Sequence, residues 1–229
     1  MEYQVKFLIN DKIYLRDPEN SELGKMMIKK AIELIADIGF ENFTFKKLAV
    51  EINSTEASIY RYFENKHRIL LYILNWYWSY MEFLVNIKLE NIVDNREKLK
   101  TILHLLTDEF EENQSEFEYN MFKLNRIIIA ESSKVYLVKE VVEINKEEVF
   151  KPYKNLSARI AEVISEYNSE YLFPRSLSTT LIEASHHQQY FSNYLPNLTD
   201  AANHKTDNFT YKYLENLLFS VLGDKKNAS

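Results

Sequence analysis

Residues 44–70, TFKKLAVEINSTEASIYRYFENKHRIL, place hydroxyls, a guanidinium and ammonium groups at helical spacings that suit contact with duplex DNA. A helix entering the major groove needs small residues near its start, so that its backbone can approach the base edges. Ala57 and Ser58 are small, and Glu56, Tyr60, Arg61 and Tyr62 share the outward side of the same segment. Hydroxyls and guanidinium groups bond phosphates or base edges, and a carboxylate such as Glu56 can accept from the amino group of cytosine. Thr44, Lys46 and Thr55 on the flanking turns extend the candidate surface, and Lys66, His67 and Arg68 add cations at the start of the next helix. The expected DNA contacts are therefore Thr44, Lys46, Thr55, Glu56, Ala57, Ser58, Tyr60, Arg61, Tyr62 and Lys66.

Two short helices and a tight turn must hold these groups. Thr44 suits the cap of the first, its hydroxyl accepting from the free backbone donors of the first turn. Phe43 and Leu48 are spaced to clamp that start as a hydrophobic staple. Leu48, Ala49 and Ile52 give the first helix its apolar face. Asn53 and Ser54 interrupt it, and asparagine tolerates the left-handed backbone of a sharp turn. Thr55 caps the second helix, whose Ile59 and Phe63, four residues apart, point inward. A bracing helix is expected over residues 22–38, with Ile28, Ala31, Ile32 and Ile35 on one face and Gly39 at its stop.

This segment resembles the DNA-binding domain of TetR/AcrR-type transcriptional regulators. The resemblance runs from Thr44 through Leu48-Ala49 and Thr55 to Ser58-Ile59-Tyr60-Arg61-Tyr62-Phe63 and Lys66, without a gap, within residues 22–70. The chain departs from the family pattern at Asn53 (usually Gly), Ser54 (often apolar) and Glu56 (commonly basic). The resemblance implies a homodimer joined through the last two helices of each chain. It further implies a small-molecule effector bound inside a C-terminal bundle, and a repressor acting on a pseudo-palindromic operator.

Composition agrees with an all-α fold. Only three Gly and four Pro occur in 229 residues, while 46% of residues are hydrophobic. The absence of Cys excludes thiol catalysis, disulfides and cysteine-based zinc sites, and fits a cytoplasmic protein. The start, MEYQVKFLIN, has neither the basic residues nor the apolar stretch of a signal peptide, and no apolar run reaches membrane-span length. Net charge is −6, yet residues 22–70 hold eight Lys/Arg against seven Asp/Glu, a local charge of +1. A nearly neutral reading domain makes few phosphate contacts, so two subunits are needed for useful affinity, and sequence-blind nucleic-acid binding is disfavoured.

Three regions follow: an extension over 1–21, the helix-turn-helix domain over 22–70, and a ligand-binding and dimerisation domain over 71–229. In the extension, β-prone runs flank Asn10-Asp11, the pattern of a short hairpin. It is either a structural appendage or an arm that touches DNA or a partner subunit through Lys6, Lys12 and Arg16. Beyond the reading domain, a strongly apolar helix over 66–89 is expected to lie in the centre of a bundle. Being continuous with the reading domain, it can move that domain. Further helices are expected over 95–113 (Asn95 capping), 116–132, 134–150, 152–168, 174–194 and 207–222. In the last two, Leu177, Leu181, Ala184, Gln188, Phe191 and Leu195, and then Leu214, Leu217, Leu218 and Val221, recur at heptad-like steps.

Candidate effector contacts are Trp78, Met81, Tyr119, Phe122, Arg126, His186, His187 and Tyr190, an aromatic set suited to a flat or amphipathic molecule. His186 and His187 are adjacent, so they point about 100° apart on a helix and suit no single metal. No Ser-His-Asp grouping, phosphate-binding glycine loop or HExxH motif is present. The expectation is no enzyme, no metal and no cofactor. The alternative is a helical ligand-binding or interaction module that has lost DNA binding.

Overall fold

The computed structural model describes residues 6–108, 110, 119–136, 145–146, 148–202 and 208–223. Among them every regular element is a helix: α1 (Glu22–Ile38), α2 (Phe45–Glu51), α3 (Glu56–Tyr60), α4 (Lys66–Leu89), α5 (Asn95–Thr107), α6 (Met121–Glu131), α7 (Ser133–Tyr136), α8 (Lys151–Tyr167), α9 (Pro174–Tyr194) and α10 (Phe209–Leu222). The chain divides into two compact units, one of residues 1–80 and 110–153, the other of 81–109 and 154–229. The first unit thus holds the helix-turn-helix together with residues 66–80 of α4 and all of α6.

In the first unit, Ser21 caps α1, its Oγ accepting from the Gly24 amide at 3.1 Å. Gly39 ends the helix at φ +76°, a backbone conformation that a side chain would strain. The expected face of α1, Ile28, Ala31, Ile32 and Ile35, is buried together with Met27. α6 lies against α1, where Lys123 Nζ meets Asp37 at 2.9 Å. Phe40, Phe43, Leu48, Ile59 and Phe63 complete the core.

No hairpin forms at Asn10-Asp11. Residues 11–13 make a single 3₁₀ turn, capped by the Asn10 side-chain oxygen Oδ1 accepting from the Lys12 amide at 2.9 Å. A second 3₁₀ turn at Pro18–Asn20 leads into α1. Asn and Asp serve short capped turns as readily as hairpins, and aromatic packing decides here. Phe7 meets Trp76 edge to face at 5.4 Å, and Tyr14 meets Tyr72 at 6.3 Å. Ile13 is fully buried. Glu19 accepts from Tyr72 at 3.3 Å and Tyr119 at 2.8 Å. Burial and then the nearby Glu19 charge raise the Tyr72 phenol above its ordinary range, which keeps it a donor. Residues 6–21 are thus a strap bound into the first unit.

In the second unit α9 packs on α10, and both pack on α5. Leu99, Leu103, Ile160, Val163, Leu181, Leu214 and Leu218 form its core. Gln189 donates to the Leu106 carbonyl at 3.1 Å, and Ser178 donates to the Ser157 carbonyl at 2.8 Å, satisfying groups removed from water. α5 is capped by Asp94, not Asn95, and stops at Thr107, where Asp108 turns extended. The expected helix over 134–150 is interrupted by Glu148 at φ +57°, and residues 116–118, 137–144 and 147 lie outside the described residues. No helix among the described residues is long and apolar enough to cross a membrane.

A Cβ on Gly24 would lie 2.2 Å from the Pro18 carbonyl oxygen. Gly24→Ala should therefore dislodge the strap and lower stability by about 1–3 kcal/mol, despite the gain of up to about 1 kcal/mol in helix propensity. Denaturant unfolding measures this, and an unchanged midpoint would contradict the close approach. Phe63→Ala, which empties a fully buried site, should cost about 3–5 kcal/mol in the same assay.

Candidate nucleic-acid interface

The helix-turn-helix forms from local capping. Thr44 Oγ1 accepts from the Lys47 amide at 3.2 Å and starts α2. Asn53 adopts φ +48°, and the Ser54 amide donates to the Ala49 carbonyl at 2.9 Å, closing the turn. Thr55 Oγ1 accepts from the Ser58 amide at 3.2 Å and starts α3. Ile59 is buried against α2, so the opposite side of α3 faces outward.

That outward side carries most of the expected contacts. Thr44, Lys46, Thr55, Glu56, Ala57, Tyr60 and Arg61 are exposed, and Ser58 is half-buried. The Tyr60 ring packs edge to face on Phe45 at 4.8 Å yet remains 51% exposed, which leaves its hydroxyl available to a partner. Lys46 and Arg61 have no carboxylate partner among the described residues. Several other cations of this unit do have partners: Lys30 pairs with Glu33, Lys123 with Asp37 and Lys134 with Glu131.

Two expected contacts are placed otherwise. Tyr62 is 3% exposed. Its hydroxyl bonds the Ser21 hydroxyl at 2.7 Å, its carbonyl accepts from the Leu15 amide at 2.7 Å, and the Arg16 guanidinium lies 5.1 Å from its ring centre. The strap covers it, and α3 ends at Tyr60, so helical periodicity no longer sets the direction of residue 62. Lys66 donates to the Phe40 and Glu41 carbonyls at 3.0 and 3.1 Å and lies over the Phe40 ring. It fastens the α1–α2 turn rather than facing outward.

That turn has a second fastening, which the sequence reading missed. Glu131, at the end of α6 and almost wholly buried, accepts from the Phe40 amide at 3.0 Å through Oε1. Its Oε2 pairs with Lys134 at 2.7 Å, and Lys134 also meets Glu41 at 2.9 Å. Hydrogen bonding and charge from Lys134 lower the Glu41 carboxyl below its ordinary value. The available signal was an acid closing the apolar run of MFKLNRIIIAE.

The expected effector contacts are divided between the two units. Tyr119 is buried and donates to Glu19, and Phe122 is half-buried beneath the exposed Arg126, 5.8 Å from its ring centre. Trp78, buried, lies against Tyr153 at 4.8 Å in a crevice with Leu74, Asn75 and Phe150 that has no room for a water molecule. In the second unit Met81 and His186 are buried, Tyr190 is half-buried beside Tyr194, and His187 is exposed. No group of three or more potential metal ligands occurs among the described residues.

Two capped helices around a left-handed turn, with hydroxyls and unpaired cations outward, define a helix-turn-helix DNA-reading domain. Residues 27–73 match the model of bacterial regulatory proteins of the tetR family, so this N-terminal domain is of the tetR-family type. None of the curated proteins matches the sequence. Solved structures of the same fold include AibR in complex with isovaleryl coenzyme A and operator DNA (15% identity, 88% of this chain, 98% of that one, TM-score 0.58). Another is FadR of Bacillus subtilis in complex with stearoyl-CoA (18%, 86% and 97%, TM-score 0.56). A third is the superantigen PfiT (18%, 91% and 100%, TM-score 0.60). At these identities the likeness concerns the fold alone.

Burial, and then the neighbouring His187, lower the His186 imidazole to about 4. The folded chain therefore keeps this ring neutral, whereas the unfolded chain takes up a proton near pH 6.5. Stability should fall as pH drops from about 6.5 to about 4, by about 3 kcal/mol from this group. His186→Gln should remove that part of the decline in urea unfolding across the window. Parallel pH profiles for the two proteins would contradict it.

Proposed function

We propose that the protein is a ligand-responsive repressor that binds a pseudo-palindromic operator as a homodimer in the cytoplasm. The observation that carries this reading is the outward side of α2 and α3, where Lys46, Tyr60 and Arg61 stand exposed beside the small Ala57. A groove-entering helix uses such groups for phosphates and base edges. Of the expected contacts, Thr44, Lys46, Thr55, Glu56, Ala57, Ser58, Tyr60 and Arg61 keep that role.

Dimerisation through α9 and α10 is supported by the apolar groups these helices leave exposed. Tyr194 and Leu195 at the end of α9, and Tyr213 and Val221 on α10, remain in water in the single chain. Leu177, Leu181, Leu214 and Leu218, from the same heptad-like pattern, are buried within the subunit. The interface would therefore use Tyr194 and Tyr213, which lie off that pattern, together with Leu195 and Val221 at its C-terminal ends. Two subunits double the phosphate contacts of a domain with a charge of only +1 and match a two-fold operator.

The effector would enter beside Trp78, opening the crevice against Tyr153. Effector binding would favour a subunit arrangement with the wrong spacing of reading helices, limited by its differential affinity for the two arrangements. Acyl-coenzyme A thioesters, bound by two proteins of this fold, are the first probes to try. PfiT carries another role on the same fold, so the reading rests on the helix-turn-helix surface rather than on architecture.

Selection of bound fragments from the source genome, followed by anisotropy titration at several salt concentrations, should recover an inverted repeat bound with a clear salt slope. Arg61→Ala should weaken binding about tenfold or more, and Tyr60→Phe less, both in folded protein. No enrichment from a folded dimer would instead favour a helical ligand-binding or interaction module without DNA binding.

A further inference from the structure

The strap encloses Tyr62 at the end of the helix-turn-helix and carries the Arg16 guanidinium over its ring. Tyr62 follows directly on Arg61 at the end of the reading segment, yet the strap and the Ser21 hydroxyl enclose it. The backbone bond from Leu15 to the Tyr62 carbonyl fixes the strap at this point at 2.7 Å. The next residue, Arg16, is exposed, and its guanidinium stands 5.1 Å from the centre of the Tyr62 ring. From these contacts we propose that Arg16 is a DNA-contacting residue, a phosphate clamp that the strap adds beside the recognition helix. The inference rests on the DNA-binding reading given above.

Three observations support it. First, Arg16 has no carboxylate partner among the described residues, although Asp17 is its neighbour in sequence. The Asp17 carboxylate is engaged at the second 3₁₀ turn, accepting from the Glu19 amide at 2.9 Å and the Asn20 side chain at 3.1 Å. Arg16 therefore keeps a free positive charge. Second, the guanidinium is held on one side only. A ring beneath it and a backbone bond one residue earlier limit its freedom, and its outer edge still presents N–H donors in the fork that phosphate oxygens accept. Pre-positioning of this kind lowers the ordering cost of binding. Third, the added charge answers a deficit. Lys66, a cation the sequence offers to DNA, is turned inward to the Phe40 and Glu41 carbonyls. With Lys66 withdrawn, Arg16 joins Lys46 and Arg61 as the cations of the reading surface.

The test is fluorescence anisotropy with labelled genomic fragments from the selection above, titrated over a range of salt concentrations, because the salt slope reports the number of phosphate contacts. Wild-type protein is compared with Arg16→Gln, Arg16→Ala and Arg16→Lys, each checked for an unchanged thermal midpoint. Arg16→Gln keeps the strap's bulk without its charge, so it serves where Arg16→Ala fails to fold. The inference predicts that Gln and Ala lower the slope of log K against log salt by about 0.9 per subunit and weaken binding severalfold. Lys should retain most of the slope. Wild-type binding with a clear salt slope that Gln leaves unchanged would overturn the role of Arg16 and leave the DNA-binding reading standing. A wild-type protein with no salt-dependent binding would overturn both.

Discussion

Burial of the Tyr62 ring ties the strap and the start of α1 to the end of the recognition helix. The ring closes the recognition helix, its hydroxyl shares the group that caps α1, and its carbonyl anchors the strap. A phenol can do this because it joins a large apolar surface to one polar atom that finds a partner. The strap and the start of α1 are thereby referred to one side chain 41 residues beyond Ser21. The orientation of α3 relative to α1 follows from it, and so does the direction in which Tyr60 and Arg61 point.

The α1–α2 turn is held independently. Glu131 grips the Phe40 amide from α6, and Lys66 grips the Phe40 and Glu41 carbonyls from α4. A buried carboxylate is tolerated there because its two oxygens have a backbone donor and an ammonium as partners. Both fastenings use charge on backbone groups, whose bonds are stronger than neutral ones. The helix-turn-helix is therefore held from behind by helices α4 and α6 of its own unit.

What the sequence made legible was local. Gly39, Thr44, Asn53 and Thr55 act through their own turn, so cap, stop and left-handed positions could be read without knowing the fold. The buried faces of α1 and α2 were likewise set by periodicity. What it hid was tertiary. Tyr62 and Lys66 carry the residue types of DNA contacts, and only the strap and the Phe40 turn show that each is engaged elsewhere. Asn10-Asp11 suits a hairpin or a capped 3₁₀ turn, and the aromatic contacts of Phe7 and Tyr14 decide between them. The aromatic candidates for an effector site, among them Trp78, Tyr119, Phe122 and Tyr190, are divided between the two units. In a chain with 16 Tyr and 14 Phe, residue type does not distinguish a lining from a core.

A nearly neutral reading domain in a chain of net charge −6 must obtain its affinity from placement rather than from bulk charge. Exposed Lys46 and Arg61 without carboxylate partners and a small Ala57 provide part of that placement, and the proposed dimer would double the surface. The most direct test of this account is a hydroxyl-radical footprint of the protein on a recovered genomic fragment. The account predicts two protected stretches on one face of the duplex, related by two-fold symmetry and centred about one helical turn or a multiple of it apart. A single protected stretch, or uniform protection without periodicity, would contradict it.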